Sequence, residues 1–567
     1  MPTIVSPRAL LAVAAAAAPS LLAYNVSPSP TFLNQALALA LWGWFVVAVA
    51  APDAGRGRGA AALQAALALV LGAVIWSWAG SLPAGRALSA IGMIAAAMVL
   101  AGAGAGAHGR PDAAQAFGDF CVGWAVAGVF NVAVALVQVF APEGADGNWI
   151  AHSGIPGRAV GNLRQPNHLS SVLLWSAIAV VALLELRRIG RALAVVLFVP
   201  VVFAVVLTAS RTGLVSVALL AVWGLADRRL AKPTRLLLVA APLVYAAGWL
   251  AMAEWAKLSQ HTFGGEARLA ETDISGSRFG IWKNTLALIA QQPWTGVGFG
   301  EFNFAWTMTP FPGRPVAFFD HSHNLPLQLA VELGLPLAAL VTALLVFGLW
   351  RAGRLAFTSE GEVGTGRRCA FMMVVMIGWH SLLEYPLWYT YFLLPAAWAW
   401  AFAVGEAAAA PKPAAAPAPS RGLVWGGVAL VVGGMLSVLD YRSVSAIFSA
   451  DDGAPPLAQR IARGQRSVLF AHHADYAAAT TEVGGGSLQP FVRATHFLLD
   501  TRLMMAWAKA LEKNGRVDEA RFVADRLREF HNENSEDFFD ECDDPASSAG
   551  FQCQHAERTR PWRAFVP

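Results

Sequence analysis

The chain has 567 residues, of which 56% are apolar and only 14% charged, a balance that excludes an ordinary soluble globular domain. The 41 Lys and Arg against 37 Asp and Glu leave a formal charge of +4. That excess follows from how basic residues are placed along the chain, so it does not call for a nucleic-acid partner.

Apolar runs long enough to cross a hydrocarbon core of roughly 30 Å recur along the first three-quarters of the chain. In order they fall near 9–25, 31–51, 60–80, 87–107, 115–141, 168–186, 192–209, 213–226, 235–256, 325–350, 369–383, 387–405 and 422–440. The pattern predicts an all-α polytopic membrane protein of about 12–13 transmembrane helices. With a cytoplasmic N-terminus, the inner loops carry Arg56, Arg58, Arg110, Arg187, Arg188, Arg191, Arg228, Arg229, Lys232, Arg235, Arg351, Arg354, Arg367 and Arg368, while the short outer loops carry only Arg86. This places three regions outside: 142–167, a large loop 257–323, and a C-terminal tail 441–567. Residues 406–421, rich in Pro and Ala, read as a cytoplasmic linker ahead of the last span. The expected organisation is a membrane domain, 1–440, followed by a small helical periplasmic tail.

The tail is charged and has two periodic apolar stretches, Leu503-Met504-Trp507-Leu511 and Ala520-Val523-Leu527-Phe530, broken at Asn514-Gly515-Arg516. They read as a helical hairpin resembling one tetratricopeptide unit. Cys542 and Cys553 lie outside the spans, and in an oxidising compartment they can close a loop. Cys121 and Cys369 fall in spans and read as packing.

The outer regions also hold the polar residues that could do chemistry. Gln165-Pro166-Asn167-His168 ends the first outer loop, and Pro166 biases Gln165 to an extended backbone. Gln165 and Asn167 thus become amides suited to bind a sugar, a phosphate or backbone. Arg211 is an outward arginine between two apolar segments, costly near lipid unless an anion pairs with it, and its guanidinium fork suits a phosphate. Arg278 opens an amphipathic stretch in the large loop, with Ser275 or Ser277 as caps. An arginine in the first turn of a helix opposes the dipole unless an anion is shared there. Thr295-Gly296-Val297-Gly298-Phe299-Gly300 has the glycines of a dinucleotide loop but not its strand and acidic partner, and reads as a turn with close backbone packing.

The most informative stretch is Asp320-His321-Ser322-His323-Asn324, followed by Glu332 and Gly334. A histidine there can serve as a general base at neutral pH. His321, His323 and Glu332 lack the His pair of a helix-borne zinc site, and no D-x-D triplet occurs, so no metal is expected. Glu384-Tyr385-Pro386 marks an outer hinge between two spans.

Taken together, Gln165-Pro166-Asn167-His168, Ser210-Arg211-Thr212-Gly213, Ser277-Arg278, Gly298-Phe299-Gly300, His321-Ser322-His323-Asn324…Glu332-Leu333-Gly334 and His380-Ser381-Leu382-Leu383-Glu384-Tyr385-Pro386 resemble the O-antigen ligase/polymerase superfamily. Within it, the chain looks most like the pilin-glycosylation type of bacterial O-oligosaccharyltransferase. The resemblance implies en bloc transfer of a glycan from undecaprenyl pyrophosphate to a hydroxyl, at the periplasmic face of the inner membrane and without a cofactor. It implies His323 as the essential loop histidine, chosen over His321 because Asn324 follows it. It also implies Arg211 and Arg278 as pyrophosphate contacts, and Gln165, Asn167, Asn324, Glu384 and Tyr385 as further substrate contacts. The expected partners are the lipid-linked glycan, membrane lipid and a serine or threonine of an exported, pilin-like protein. Alternatives are ligation to lipid A–core, glycan polymerisation, or, without catalysis, transport of a lipid phosphate.

Overall fold

The computed structural model describes residues 6–50, 58–270, 274–406, 420–542 and 550–565. Its helices in chain order are α1 (Pro7–Leu21), α2 (Phe32–Val49), α3 (Arg58–Gly80), α4 (Ala84–His108), α5 (Ala113–Phe140), α6 (Pro166–Glu185), α7 (Arg191–Leu207), α8 (Arg211–Ala226) and α9 (Lys232–Ser259). The large loop contributes α10 (Gly264–Ala270), α11 (Ile274–Gln291), α12 (Phe302–Met308) and α13 (Leu325–Leu333). Then come α14 (Leu335–Thr358), α15 (Gly361–Ser381), α16 (Thr390–Val404) and α17 (Arg421–Phe448). The tail holds α18 (Leu457–Gly464), α19 (Ala471–Ala479), α20 (Phe491–Ala494), α21 (Thr501–Lys513), α22 (Val517–Arg528) and α23 (Glu536–Phe539).

Among the described residues α2, α3, α4, α5, α6, α9, α14 and α17 are long and apolar enough to cross a membrane, and α1, α7, α8 and α16 are shorter apolar helices. The chain is an all-α, multi-pass membrane protein. Most of the linker between α16 and α17 lies outside the described residues, as do the side chains of Ser275 and Ser277.

One expected span is corrected. The apolar run 325–350 is two helices, because the chain breaks at Gly334, whose φ is +76°. A Cβ there would collide with the Trp294 carbonyl oxygen. Val297 N–H and Gly298 N–H bond the carbonyls of Val331 and Glu332 at 2.8 and 3.1 Å, so the glycine-rich turn takes the end of α13. The structure thus assigns Thr295–Gly300 to close backbone packing.

The chain divides into two units. Unit 1 comprises 1–67, 94–272 and 343–436, and unit 2 comprises 68–93, 273–342 and 437–567. In unit 1, small residues let helices approach closely. The Ala-rich α1 lies so near α5 that a Cβ on Gly123 would meet the Ala12 carbonyl. Stacked rings then fill the interior: Phe120 lies 4.4 Å from Trp398, and Phe117 lies 4.9 Å from Phe402. Where α5 begins, the buried carboxylate of Asp119 accepts from Arg188 at 2.8 Å. The buried Arg368 side chain lies 3.2 Å from Asp227.

Unit 2 has its own core, in which Ile281, Phe304, Trp306 and Val331 of the large loop are buried together with Leu503, Trp507, Val523, Leu527 and Phe530 of the tail. α21 and α22 flank Asn514-Gly515-Arg516, and all eight of the periodic apolar side chains named above are buried. Arg314 pins the loop to α22. Its guanidinium lies 3.0 Å from Glu529 and 4.4 Å above the Phe530 ring. Cys542 and Cys553 form a disulfide.

Candidate active site

Three helix starts share one local design. Arg164 (φ 57°), Ala209 (φ 49°) and His323 (φ 56°) are left-handed residues. Each precedes an extended residue whose side chain caps the next helix. Gln165 accepts from His168 N–H at 2.8 Å, Ser210 from Gly213 N–H at 2.9 Å, and Asn324 from Leu327 N–H at 3.1 Å. A left-handed conformation costs a non-glycine residue about 1–2 kcal/mol and persists only where its surroundings enforce it.

In unit 2, that enforcement surrounds His323. Its Nδ1 lies 3.0 Å from the His321 carbonyl oxygen. A carbonyl only accepts, so Nδ1 carries a proton, and in the neutral form of the ring the lone pair lies on Nε2. Phe319 meets the ring edge-to-face at 5.5 Å. Between the two histidines, Ser322 N–H donates to Gln328 Oε1 at 2.7 Å, and Gln328 Nε2 donates to Glu332 Oε1 at 3.0 Å. Trp282 Nε1–H donates to the Ser322 carbonyl at 3.0 Å. Arg278 precedes Trp282 by one helical turn, on the same side of α11. α11 is described from Ile274 onward, and this shared face is what relates Arg278 to the histidine loop.

The buried His321 lies 3.0 Å from Asp320 through Nδ1. Burial pushes the Asp320 carboxyl up, but His321, His323 and Arg86 outweigh it and hold it below the ordinary carboxylate range. Burial also pushes Glu332 up, against the opposing pull of His321, the Gly300 N–H, Arg86 and Gln328. Arg86 donates to the carbonyls of His496 and Phe497 at 2.5 and 3.2 Å, and Glu301 pairs with the buried His496 at 2.7 Å. The α3–α4 turn, the glycine turn and the tail therefore brace the histidine loop within one core.

In unit 1, Asn167 is the hub of a second polar cluster. Its Oδ1 accepts from Ser210 Oγ at 2.6 Å, and its Nδ2 donates to Glu384 Oε1 at 3.1 Å. Arg211 follows Ser210 as the exposed first residue of α8, where the helix dipole favours an anion nearby. Tyr385 stacks on Tyr389, which packs edge-to-face against His168. Gln165 is extended, and its side-chain oxygen serves as a backbone cap.

Asn167, Glu384, Arg211, Gln165 and Tyr385 thus gather in unit 1, and His323, Asn324 and Arg278 gather in unit 2. Sequence reasoning did not single out Gln328 or Ser210 as positioning groups. Arg86 did leave a signal, as the lone basic residue on an outer turn.

Residues 193–342 match a family model described as O-antigen ligase. Residues 369–540 match one described as virulence factor membrane-bound polymerase, C-terminal, and residues 159–184 one described as protein glycosylation ligase. The chain is 30% identical over 248 residues to the general O-oligosaccharyltransferase of Acinetobacter baylyi, covering 42% of this chain and 42% of that protein. It is 28% identical over 274 residues to the ComP-specific O-oligosaccharyltransferase of the same species, covering 47% of this chain and 46% of that protein. The chain therefore spans less than half the length of the curated relatives it matches.

Proposed function

We propose that this chain, which belongs to the O-antigen ligase superfamily, is an O-oligosaccharyltransferase that moves a glycan from undecaprenyl pyrophosphate to a serine or threonine of an exported, pilin-like protein. The observation that carries the reading is His323, held left-handed in the stretch matched to the O-antigen ligase model, with Nδ1 donating to the His321 carbonyl. A neutral imidazole in that tautomer is a general base for a hydroxyl proton. In the step proposed, Nε2 takes the proton of the acceptor hydroxyl and the oxygen bonds to the anomeric carbon of the donor glycan. The bond from that carbon to the pyrophosphate oxygen breaks, and the lipid pyrophosphate leaves with the electron pair. The proton on His323 then passes to water or to the leaving group.

Arg211 and Arg278 are assigned to the pyrophosphate charge, as guanidinium forks fit phosphate oxygens. Asn167, Asn324, Glu384 and Tyr385 are assigned to substrate positioning, with Gln165 shaping the start of α6. The reading needs no metal, and it places the reaction at the periplasmic face of the inner membrane. The names of the two Acinetobacter relatives support a protein acceptor over a lipid one.

The deciding experiment follows the glycan in a strain lacking this gene. Loss of sugar from exported proteins with unaltered lipopolysaccharide supports the reading. Loss of O-antigen from lipid A–core with protein glycans intact would make the chain a lipopolysaccharide ligase, and loss of chain length alone would make it a polymerase.

A further inference from the structure

Within unit 2, the turn after α11 and the start of α12's exit segment face residues 559–563 across a cavity of about 370 Å³, in the size range of small-ligand sites. Gln291, Gln292, Thr309, Arg560, Trp562 and Arg563 line it. Two guanidinium groups and two primary amides meet there, and no carboxylate is among the lining residues. Asp518 takes Arg560 Nη2 at 3.0 Å, but the buried Arg560 Nε has no hydrogen-bond partner among the described residues. A buried donor without a partner costs about 1–3 kcal/mol unless a bound group satisfies it.

The wall selects between ligand types. A pyranose ring is usually held by an open aromatic face, and none is offered here. Trp562 is only 5% exposed, with the Arg563 guanidinium 5.2 Å over its ring and Phe304 edge-to-face at 5.9 Å. Primary amides can both donate to and accept from a peptide backbone, and guanidinium groups pair with carboxylates.

We propose that this cavity receives an acidic segment of the acceptor polypeptide, holding an Asp or Glu carboxylate against Arg560 and Arg563. The proposal rests on the protein-acceptor reading above, and its test needs no turnover. Full-length protein in detergent, without lipid-linked donor, is titrated with a fluorescent synthetic peptide carrying adjacent aspartates, with its asparagine counterpart, and with an oligo-glucuronate. The aspartate peptide should bind about tenfold or more tightly than the asparagine peptide, and Arg563→Gln or Arg560→Gln should erase that difference. Gln292→Glu adds a like charge to the wall without touching the Arg560–Asp518 pair, so it should weaken the aspartate peptide even if Arg560→Gln does not fold. Equal binding of the two peptides would overturn the proposal, and so would tighter binding of the oligo-glucuronate. Either result leaves the transferase reading standing, whereas peptide binding by an enzyme that transfers no glycan would sink that reading alone.

Discussion

Replacing Gln328 by Met tests whether the histidine loop is held by the strut beneath it. The side chain is 2% exposed and joins Ser322 N–H to Glu332 through bonds of 2.7 and 3.0 Å. Methionine keeps the volume and removes both bonds. A buried N–H left unpaired costs about 1–3 kcal/mol, and a lost bond to a carboxylate costs about 1.5–3 kcal/mol. The left-handed strain of His323, about 1–2 kcal/mol, is present in wild type as well and favours the relaxed loop once the strut is gone. Water will satisfy part of the deficit, so the active conformation should lose about 2–3 kcal/mol relative to a relaxed loop. That corresponds to roughly a 30- to 150-fold fall in kcat. Single-turnover transfer with purified enzyme and saturating donor reads it directly, and KM for the donor should stay within about twofold because no donor contact is removed. A Gln328→Met enzyme with wild-type kcat would refute the strut. A loss of rate matched by loss of folded protein would assign Gln328 to stability alone.

Neutralising Arg211 or Arg278 to Ala should slow transfer by tens- to about a thousandfold, with Lys restoring only part, because an ammonium cannot reproduce the guanidinium fork; donor turnover in each variant is the check. Burial lowers His473 in α19 to about 4, below its unfolded value near 6.5, so between those values the unfolded chain binds a proton that the native one refuses. Stability of this part of the tail should therefore fall as pH drops from about 6.5 toward 4, by up to about 1.4 kcal/mol per unit, and hydrogen exchange across α19 should show a flatter profile in His473→Gln. Reducing the Cys542–Cys553 bond, which spans a sequence separation of 11, should cost the surrounding segment about 2–3 kcal/mol. Limited proteolysis should then cut near α23 first, and the double Ser variant should behave as the reduced protein does.

Apolar run lengths place α2 to α9 closely, including α7 and α8, which are shorter than the rest. The same signal read 325–350 as one span, whereas the chain breaks at Gly334 and Val331 of the first piece lies in the unit 2 core. Gly334 marked the break in the sequence, but its need for a positive φ appears only once the Trp294 carbonyl stands against it. His323 and Asn324 were legible as a histidine followed by an asparagine, but not as a left-handed residue ahead of a helix cap. Gln165 was legible as an extended residue before a proline, and its oxygen caps α6. Gln328 left no trace, because a glutamine on an apolar helix has no periodicity and its partner, Ser322 N–H, is a backbone group.

Transfer by purified enzyme separates His323 from its neighbour His321. Wild-type, His321→Ala and His323→Ala proteins are given undecaprenyl-pyrophosphate-linked glycan and a serine-bearing acceptor protein in excess chelator. Wild type should transfer glycan, His323→Ala should transfer none although it remains folded, and His321→Ala, whose carbonyl still accepts from His323, should retain slower transfer. Transfer by His323→Ala at near the wild-type rate would contradict the role assigned to His323.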